Sequence, residues 1–320
     1  MLTTAPAWLT EDVERIERLL IATAGHSLNP LVSEASTHLI HAGGKRVRPA
    51  LVLLCSRAGE SGRAATDLAA GAIELVHLAT LYHDDVIDRT PTRRGVPTVH
   101  SKWGVEVAVL AGDYLFARGC SLGAQAGGEV PGVLAGAIAK VCEGQIVETA
   151  SLGNAGRTVD EYLNTIGLKT AALFGAACEL GAATADADDV ARATLVEYGE
   201  NLGLAFQIVD DLLDLIGDPE VTGKVPGTDL REGVFTLPVL LACERDDVLV
   251  QKLWSGERGI EYVLPRLKAT GAIDDALAIA DEVAERASSA LGSIDNDELR
   301  ATLEDLMDSV LAQVSTNRAA

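Results

Sequence analysis

LVHLATLYHDDVID, residues 75–88, is the stretch that decides the fold. Its apolar residues keep helical spacing, and it ends in Asp84-Asp85-Val-Ile-Asp88. A second stretch, LGLAFQIVDDLLD at 202–214, ends the same way in Asp210-Asp211-Leu-Leu-Asp214. On a helix the first and last aspartates of each set are four apart and the middle one is three from the last, so the outer carboxylates share a face. Like charges so placed disfavour an isolated helix, so each set calls for compensating cations. The chain has 24 aspartates, and chance would place the pattern only about 0.1 times in such a chain. Three other Asp-Asp pairs, beginning at Asp188, Asp246 and Asp274, lack the later aspartate.

Helical periodicity continues on both sides, and no stretch alternates with period two. Pro30 opens a helix that Gly43-Gly44 close, and Pro49 opens another ending near Gly59. Further helices are expected over 66–88, 101–126, 131–150, 158–183 and 188–216, with three more from Phe235 onward. Thr158 and Glu161 have capping-box spacing. The breaker-rich segments 89–100 and 217–233 read as loops. Gly112, Gly167, Gly175 and Gly203 fall inside helices, which predicts close helix–helix packing. No linker divides the chain, so one all-α domain over 1–320 is expected.

Acidic residues outnumber basic ones 47 to 26, a net charge of −21, which excludes a broad nucleic-acid surface. Five cysteines stand singly in apolar stretches with no C-x-x-C, as buried reduced thiols of a cytosolic protein would. The N-terminal sequence shows no basic region followed by a long apolar one. Apolar runs such as 49–55 and 237–243 stop short of the roughly 20 residues that cross a bilayer. A soluble cytoplasmic protein without a membrane anchor is the expectation.

Both aspartate sets adjoin apolar segments rather than charged surface. Carboxylates in that setting suit Mg²⁺, a hard cation that takes one or two carboxylates, waters and substrate phosphates. The few cations gather nearby: Lys45, Arg46 and Arg48 at a helix junction, Arg93-Arg94 after the first set, Lys224 after the second, and Lys169-Thr170 within an apolar helix. Carboxylates followed by loop cations, twice over, fit a metal-bound diphosphate whose remaining oxygens meet Arg or Lys. His77 stands two turns before Asp84 on the same face, while His83 takes no role. No G-x-x-x-x-G-K-[ST] loop and no G-x-S-x-G occurs, which argues against phosphate chemistry of the P-loop kind.

Together these residues resemble the all-trans polyprenyl diphosphate synthases, from Gly43-Gly44-Lys45-Arg46-Val-Arg48-Pro49 to Gly223-Lys224-x-x-Gly227-x-Asp229-Leu-Arg-Glu-Gly233-x-x-Thr236-Leu-Pro238. The resemblance implies an isoprenoid-synthase helical bundle around a deep central cavity, usually a homodimer. It implies that Lys45, Arg48, His77 and Arg94 bind isopentenyl diphosphate. Asp84, Asp88 and Asp210 would be the main Mg²⁺ ligands, supported by Asp85, Asp211 and Asp214. Arg93, Lys169, Thr170, Gln207 and Lys224 would hold the allylic diphosphate (dimethylallyl, geranyl or farnesyl). Asp84, Asp88, Asp210, Lys169 and Lys224 would carry catalysis. Val234 departs from the pattern, standing where many relatives have Lys.

Small residues at Ala79 and Thr80, five and four places before Asp84, imply by the same resemblance a product past C15. The expectation is C30 to C50, as for a quinone side chain, with geranylgeranyl diphosphate (C20) as the alternative. A class I terpene cyclase would lack the second aspartate set and the Lys45/Arg48/His77 group. A non-catalytic partner subunit would have lost the aspartates.

Overall fold

The structure is a computed structural model that describes residues 6–60, 62–218 and 226–318. The fold is all-α as expected. Among the described residues, sheet is confined to Thr92–Arg93 and Val96–Pro97, paired antiparallel. The chain divides into two compact units, drawn from 1–138, 173–196 and 293–302, and from 139–172, 197–292 and 303–320.

In the first unit, Asn29 caps the helix Pro30–His41 by accepting the Leu31 amide at 3.0 Å, with Pro30 in the first position. The next helix, Val47–Cys55, begins two residues before Pro49, which its first turn tolerates. The long helix Arg63–Ile87 carries the first aspartate set. The expected helix over 101–126 is two, Val99–Trp103 and Val105–Ala126, broken at Gly104, whose φ of 95° ends the first. Gly112 lets helix Val105–Ala126 approach helix Arg63–Ile87, since a Cβ there would lie 2.4 Å from His83 Nε2. The core is aliphatic: Leu9, Leu20, Leu39, Leu51, Ile73 and Leu75 are fully buried, each contributing about 1.5–3 kcal/mol.

In the second unit, the helix at 159 starts as its capping box predicts: Glu161 N donates to Thr158 Oγ1 at 3.2 Å and Thr158 N to Glu161 Oε2 at 2.9 Å. That helix, Val159–Ile166, passes into a π-helical turn at Gly167–Ala171. Gly167 therefore does not serve packing, for a Cβ there would meet nothing within 4 Å. After Phe235 the described residues form five α-helices, not three: Leu237–Cys243, Asp247–Trp254, Ile260–Thr270, Ala272–Ala290 and Asp297–Arg318, the last beginning in the first unit. A further short one, Thr228–Glu232, lies in the segment read as loop.

The thiols and the apolar helices also differ from expectation. Cys120 and Cys142 are exposed, so only Cys55, Cys178 and Cys243 are buried thiols. Three helical stretches, Arg63–Ile87, Val130–Ala150 and Val159–Thr184, are long and apolar enough to cross a membrane by length and composition. Short apolar runs missed them because polar residues interrupt each helix while its mean hydropathy stays at 1.3. Protein buries 67% and 72% of the relevant windows in the first and third, and 28% in Val130–Ala150.

Candidate active site

In the first unit, helix Arg63–Ile87 ends with Asp88 as its cap, the Asp88 amide donating to Asp84 O at 2.8 Å. Asp88 is exposed and Asp84 partly buried. Asp85 points inward: its Oδ1 accepts Arg93 Nε at 2.6 Å, and its Oδ2 is buried without a hydrogen-bond partner. Burial raises the Asp85 carboxyl above the usual carboxylate range, opposed by Arg93.

The following segment is a hairpin rather than a plain loop. Thr92 pairs with Pro97 and Arg93 with Val96, and Arg94 and Gly95 turn between them with φ of 53° and 77°. Positive φ at both turn residues matches the right-handed twist of paired strands. The turn directs Arg93 to Asp85 and Arg94 to the end of helix Pro30–His41. There Arg94 Nη1 donates to Leu39 O at 2.9 Å and also to Gly43 O.

The Gly43–Arg48 junction is wound by positive φ at Gly43, Gly44 and Arg46. Lys45 is exposed, but Arg46 is buried. Arg46 Nη1 donates to Glu74 Oε1 at 3.0 Å, its Nε and Nη2 to Glu17 at 3.2 Å each, and its Nη2 to Ile40 O at 3.0 Å. Arg48 lies over the Phe174 ring, 4.6 Å from its centroid, with its Nε buried and unpartnered. Burial pushes the Arg48 guanidinium down to about 10; Glu74 opposes this and Arg94 adds to it. Burial, then Arg48, Arg94, Arg93 and Arg46, hold His77 well below the usual histidine value, so it is neutral at pH 7.

In the second unit, Asp210 is exposed near the end of helix Asp189–Ile216, while Asp211 and Asp214 are buried. Asp211 accepts the Tyr162 hydroxyl on Oδ2 and Gln207 Nε2 on Oδ1, the latter at 2.8 Å. Gln207 Oε1 in turn accepts Thr170 Oγ1 at 2.8 Å. Burial pushes the Asp211 carboxyl up to about 7, against the hydrogen bonds from Tyr162 and Gln207. Asp214 anchors the next segment: its oxygens accept the Thr228 and Asp229 amides at 3.2 Å, and its carbonyl the Gly227 amide at 2.7 Å.

The π-helical turn presents Lys169 and Thr170 on successive positions. Gly144 makes room for it, since a Cβ there would lie 2.5 Å from Lys169 N. Lys169 pairs with Glu148, one turn beyond Gly144. Lys224 lies outside the described residues. Val234, partly buried, donates its amide to Asp229 O at 2.9 Å.

The first unit thus gathers Arg48, His77, Arg93 and Arg94 around the first aspartate helix, and the second links Thr170, Gln207 and Asp211. Sequence reasoning missed Glu74, Glu148 and Tyr162. Glu74 carried a signal, as the single carboxylate between Asp67 and Asp84. Among the described residues no three His, Cys, Asp or Glu side chains are grouped to hold a metal by themselves. Mg²⁺ asks less of the protein, one or two carboxylates with waters and phosphate oxygens. The all-oxygen donor set and the unpartnered Asp85 Oδ2 fit that demand.

A family model described as polyprenyl synthetase matches residues 29–257. Heptaprenyl diphosphate synthase component 2 of Geobacillus stearothermophilus is 37% identical over 305 residues, covering 94% of this chain and 95% of its own. A decaprenyl diphosphate synthase from Rhodobacter capsulatus superposes with a TM-score of 0.90 at 36% identity, covering 96% of this chain and 97% of that one. A geranylgeranyl pyrophosphate synthetase from Pyrococcus horikoshii Ot3 gives 0.89 at 34% identity, covering 95% and 97%.

Proposed function

The chain belongs to the polyprenyl synthetase family and is a prenyltransferase; from that premise we propose that it condenses isopentenyl diphosphate repeatedly onto an allylic diphosphate, with Mg²⁺, to a product of C30 to C50. The observation that carries this reading is the partly buried pair Arg48 and Arg94, with neutral His77 on the same helix as Asp84, as a second place for an anion. A cyclase acting on one diphosphate has no use for a second anion-binding set.

Asp84, Asp88 and Asp210 would hold the metal, backed by Asp85, Asp211 and Asp214. When bound, it neutralises charge growing on the departing diphosphate. Arg93, Lys169, Thr170, Gln207 and Lys224 hold the allylic diphosphate; Lys45, Arg48, His77 and Arg94 hold that of isopentenyl diphosphate. The allylic C–O bond breaks with its electron pair on the diphosphate oxygen, leaving an allylic cation. The isopentenyl double bond attacks, a C–C bond forms, and the released diphosphate takes the proton lost. No side-chain nucleophile is required.

Chain length is not fixed by membership, since the relatives above are named for products from geranylgeranyl to decaprenyl. Thr80, small and only partly buried beside the fully packed Ala79, supports the longer range, as for a quinone side chain. Ala79→Phe should shorten the product, read as chain length of labelled prenyl alcohols. We assign a homodimer, supported by exposed apolar side chains on helix Val105–Ala126 (Leu110, 66%) and helix Val130–Ala150 (Ile146, 69%). A cytoplasmic location is part of the same proposal, supported by the free cysteines. The relative named as a component 2 favours a second reading, activity only with a partner subunit.

Purified protein with Mg²⁺, labelled isopentenyl diphosphate and farnesyl diphosphate tests the reaction and the product length. A ladder ending at C30 to C50 supports the proposal, and a single C20 product would overturn the length. No incorporation from folded protein alone would favour the partner-dependent reading.

A further inference from the structure

Glu74 sits in the middle of helix Arg63–Ile87, 2% exposed. Arginines from three chain segments act on its charge, and Arg46 touches it. Arg46 comes from the glycine-wound junction and donates to Glu74 Oε1. Arg94 comes from the tip of the hairpin, where the Leu39 and Gly43 carbonyls hold it. Arg48 comes from the first turn of helix Val47–Cys55. Glu74 raises the pKa of Arg48 and Arg94, and all three arginines act to keep Glu74 ionised against its own burial. His77 is three residues further along the same helix face.

The Arg46 side chain is committed to Glu74, Glu17 and Ile40 O, and is 3% exposed. It is therefore a clamp on the junction rather than a ligand group. Buried ion pairs of this kind add little stability over apolar residues of the same size. What such a pair can do is fix geometry.

We infer that Glu74 is a positioning residue for isopentenyl diphosphate: bonded to Arg46, it fixes the Gly43–Arg48 junction, which carries Arg48 and whose Gly43 carbonyl holds Arg94, ready for the incoming diphosphate. This rests on the assignment of Lys45, Arg48, His77 and Arg94 to that substrate. Glu74 touches no reacting atom. Its effect belongs in the binding of one substrate and not in the chemical step.

The test is steady-state kinetics with each substrate varied in turn. Glu74→Gln should raise KM for isopentenyl diphosphate about tenfold, and leave kcat and the allylic KM within about twofold. Glu74→Asp, which keeps the charge, should recover part of the loss. The double variant Arg46→Met with Glu74→Leu removes the buried pair and guards against misfolding of the single variant. It should unfold cooperatively at a Tm near or above wild type, yet keep the raised isopentenyl KM. An unchanged isopentenyl KM in Glu74→Gln, or its return to normal in the double variant, would overturn the inference. So would a parallel loss in kcat and both KM values. Wild-type protein that consumes no isopentenyl diphosphate would instead sink the proposed function itself.

Discussion

The helix ends at Asp84–Asp88 and Asp210–Asp214 carry the same letters at the same spacing, yet their surroundings differ. In both, the middle aspartate is buried and hydrogen-bonded, Asp85 to Arg93 and Asp211 to Tyr162 and Gln207. The last aspartates part ways: Asp88 is exposed at the end of its helix, whereas Asp214 is buried and gathers the amides of the next segment. The middle aspartate of the first set is answered by arginine, that of the second by neutral donors. Identical motifs can thus divide into exposed carboxylates and carboxylates built into the interior.

The largest effects should fall on the outward-facing members. Asp84→Asn and Asp210→Asn should each lower kcat/KM by about 10²–10³ or more, with Tm almost unchanged. An equal activity loss in Asp85→Asn would erase the proposed division between outer and inner aspartates. Next come the interior carboxylates. Tyr162→Phe removes a partner from buried Asp211 Oδ2 and should cost about 1–3 kcal/mol of stability, read by denaturant unfolding. Asp214→Asn keeps an acceptor but loses the charge, so roughly 1 kcal/mol should go, with faster hydrogen exchange at Thr228 and Asp229.

The smallest effect concerns the arginines behind the first set. His77 has a folded pKa well below its ordinary 6.5. Above about pH 7 it is neutral folded or unfolded and adds no pH dependence. Below 6.5 the unfolded chain takes up a proton that the folded one refuses. Stability then falls with pH, by at most about 1.4 kcal/mol per unit. His77→Gln should remove that slope, seen as a Tm difference that narrows from pH 7.5 to 5.5. A slope of opposite sign would mean that the arginines do not surround this histidine.

Much of this was legible in the sequence because it is local. The paired aspartate sets, the helices that carry them and the Thr158–Glu161 capping box all follow from spacing within a turn or two. What stayed hidden depends on distant partners. Nothing near Glu74 in the chain announces Arg46, which lies 28 residues away. The hairpin was hidden because Arg94 takes a left-handed conformation that favours glycine. The π-helical turn was hidden because Gly167 read as a packing glycine inside a helix. The short helices after Phe235 blurred together because the breaks between them are only a few residues long.

The distribution of thiols gives the molecule a built-in gauge. Of its five cysteines, Cys120 and Cys142 lie on the surface, on helices Val105–Ala126 and Val130–Ala150, and three are sealed in the interior. A thiol-reactive dye therefore counts two sites on the native chain and five on the denatured one. Because the two reactive sulfurs ride on the helices with the exposed apolar residues, self-association through those faces would slow their labelling as protein concentration rises. One colorimetric titration then follows both folding and assembly without any substitution.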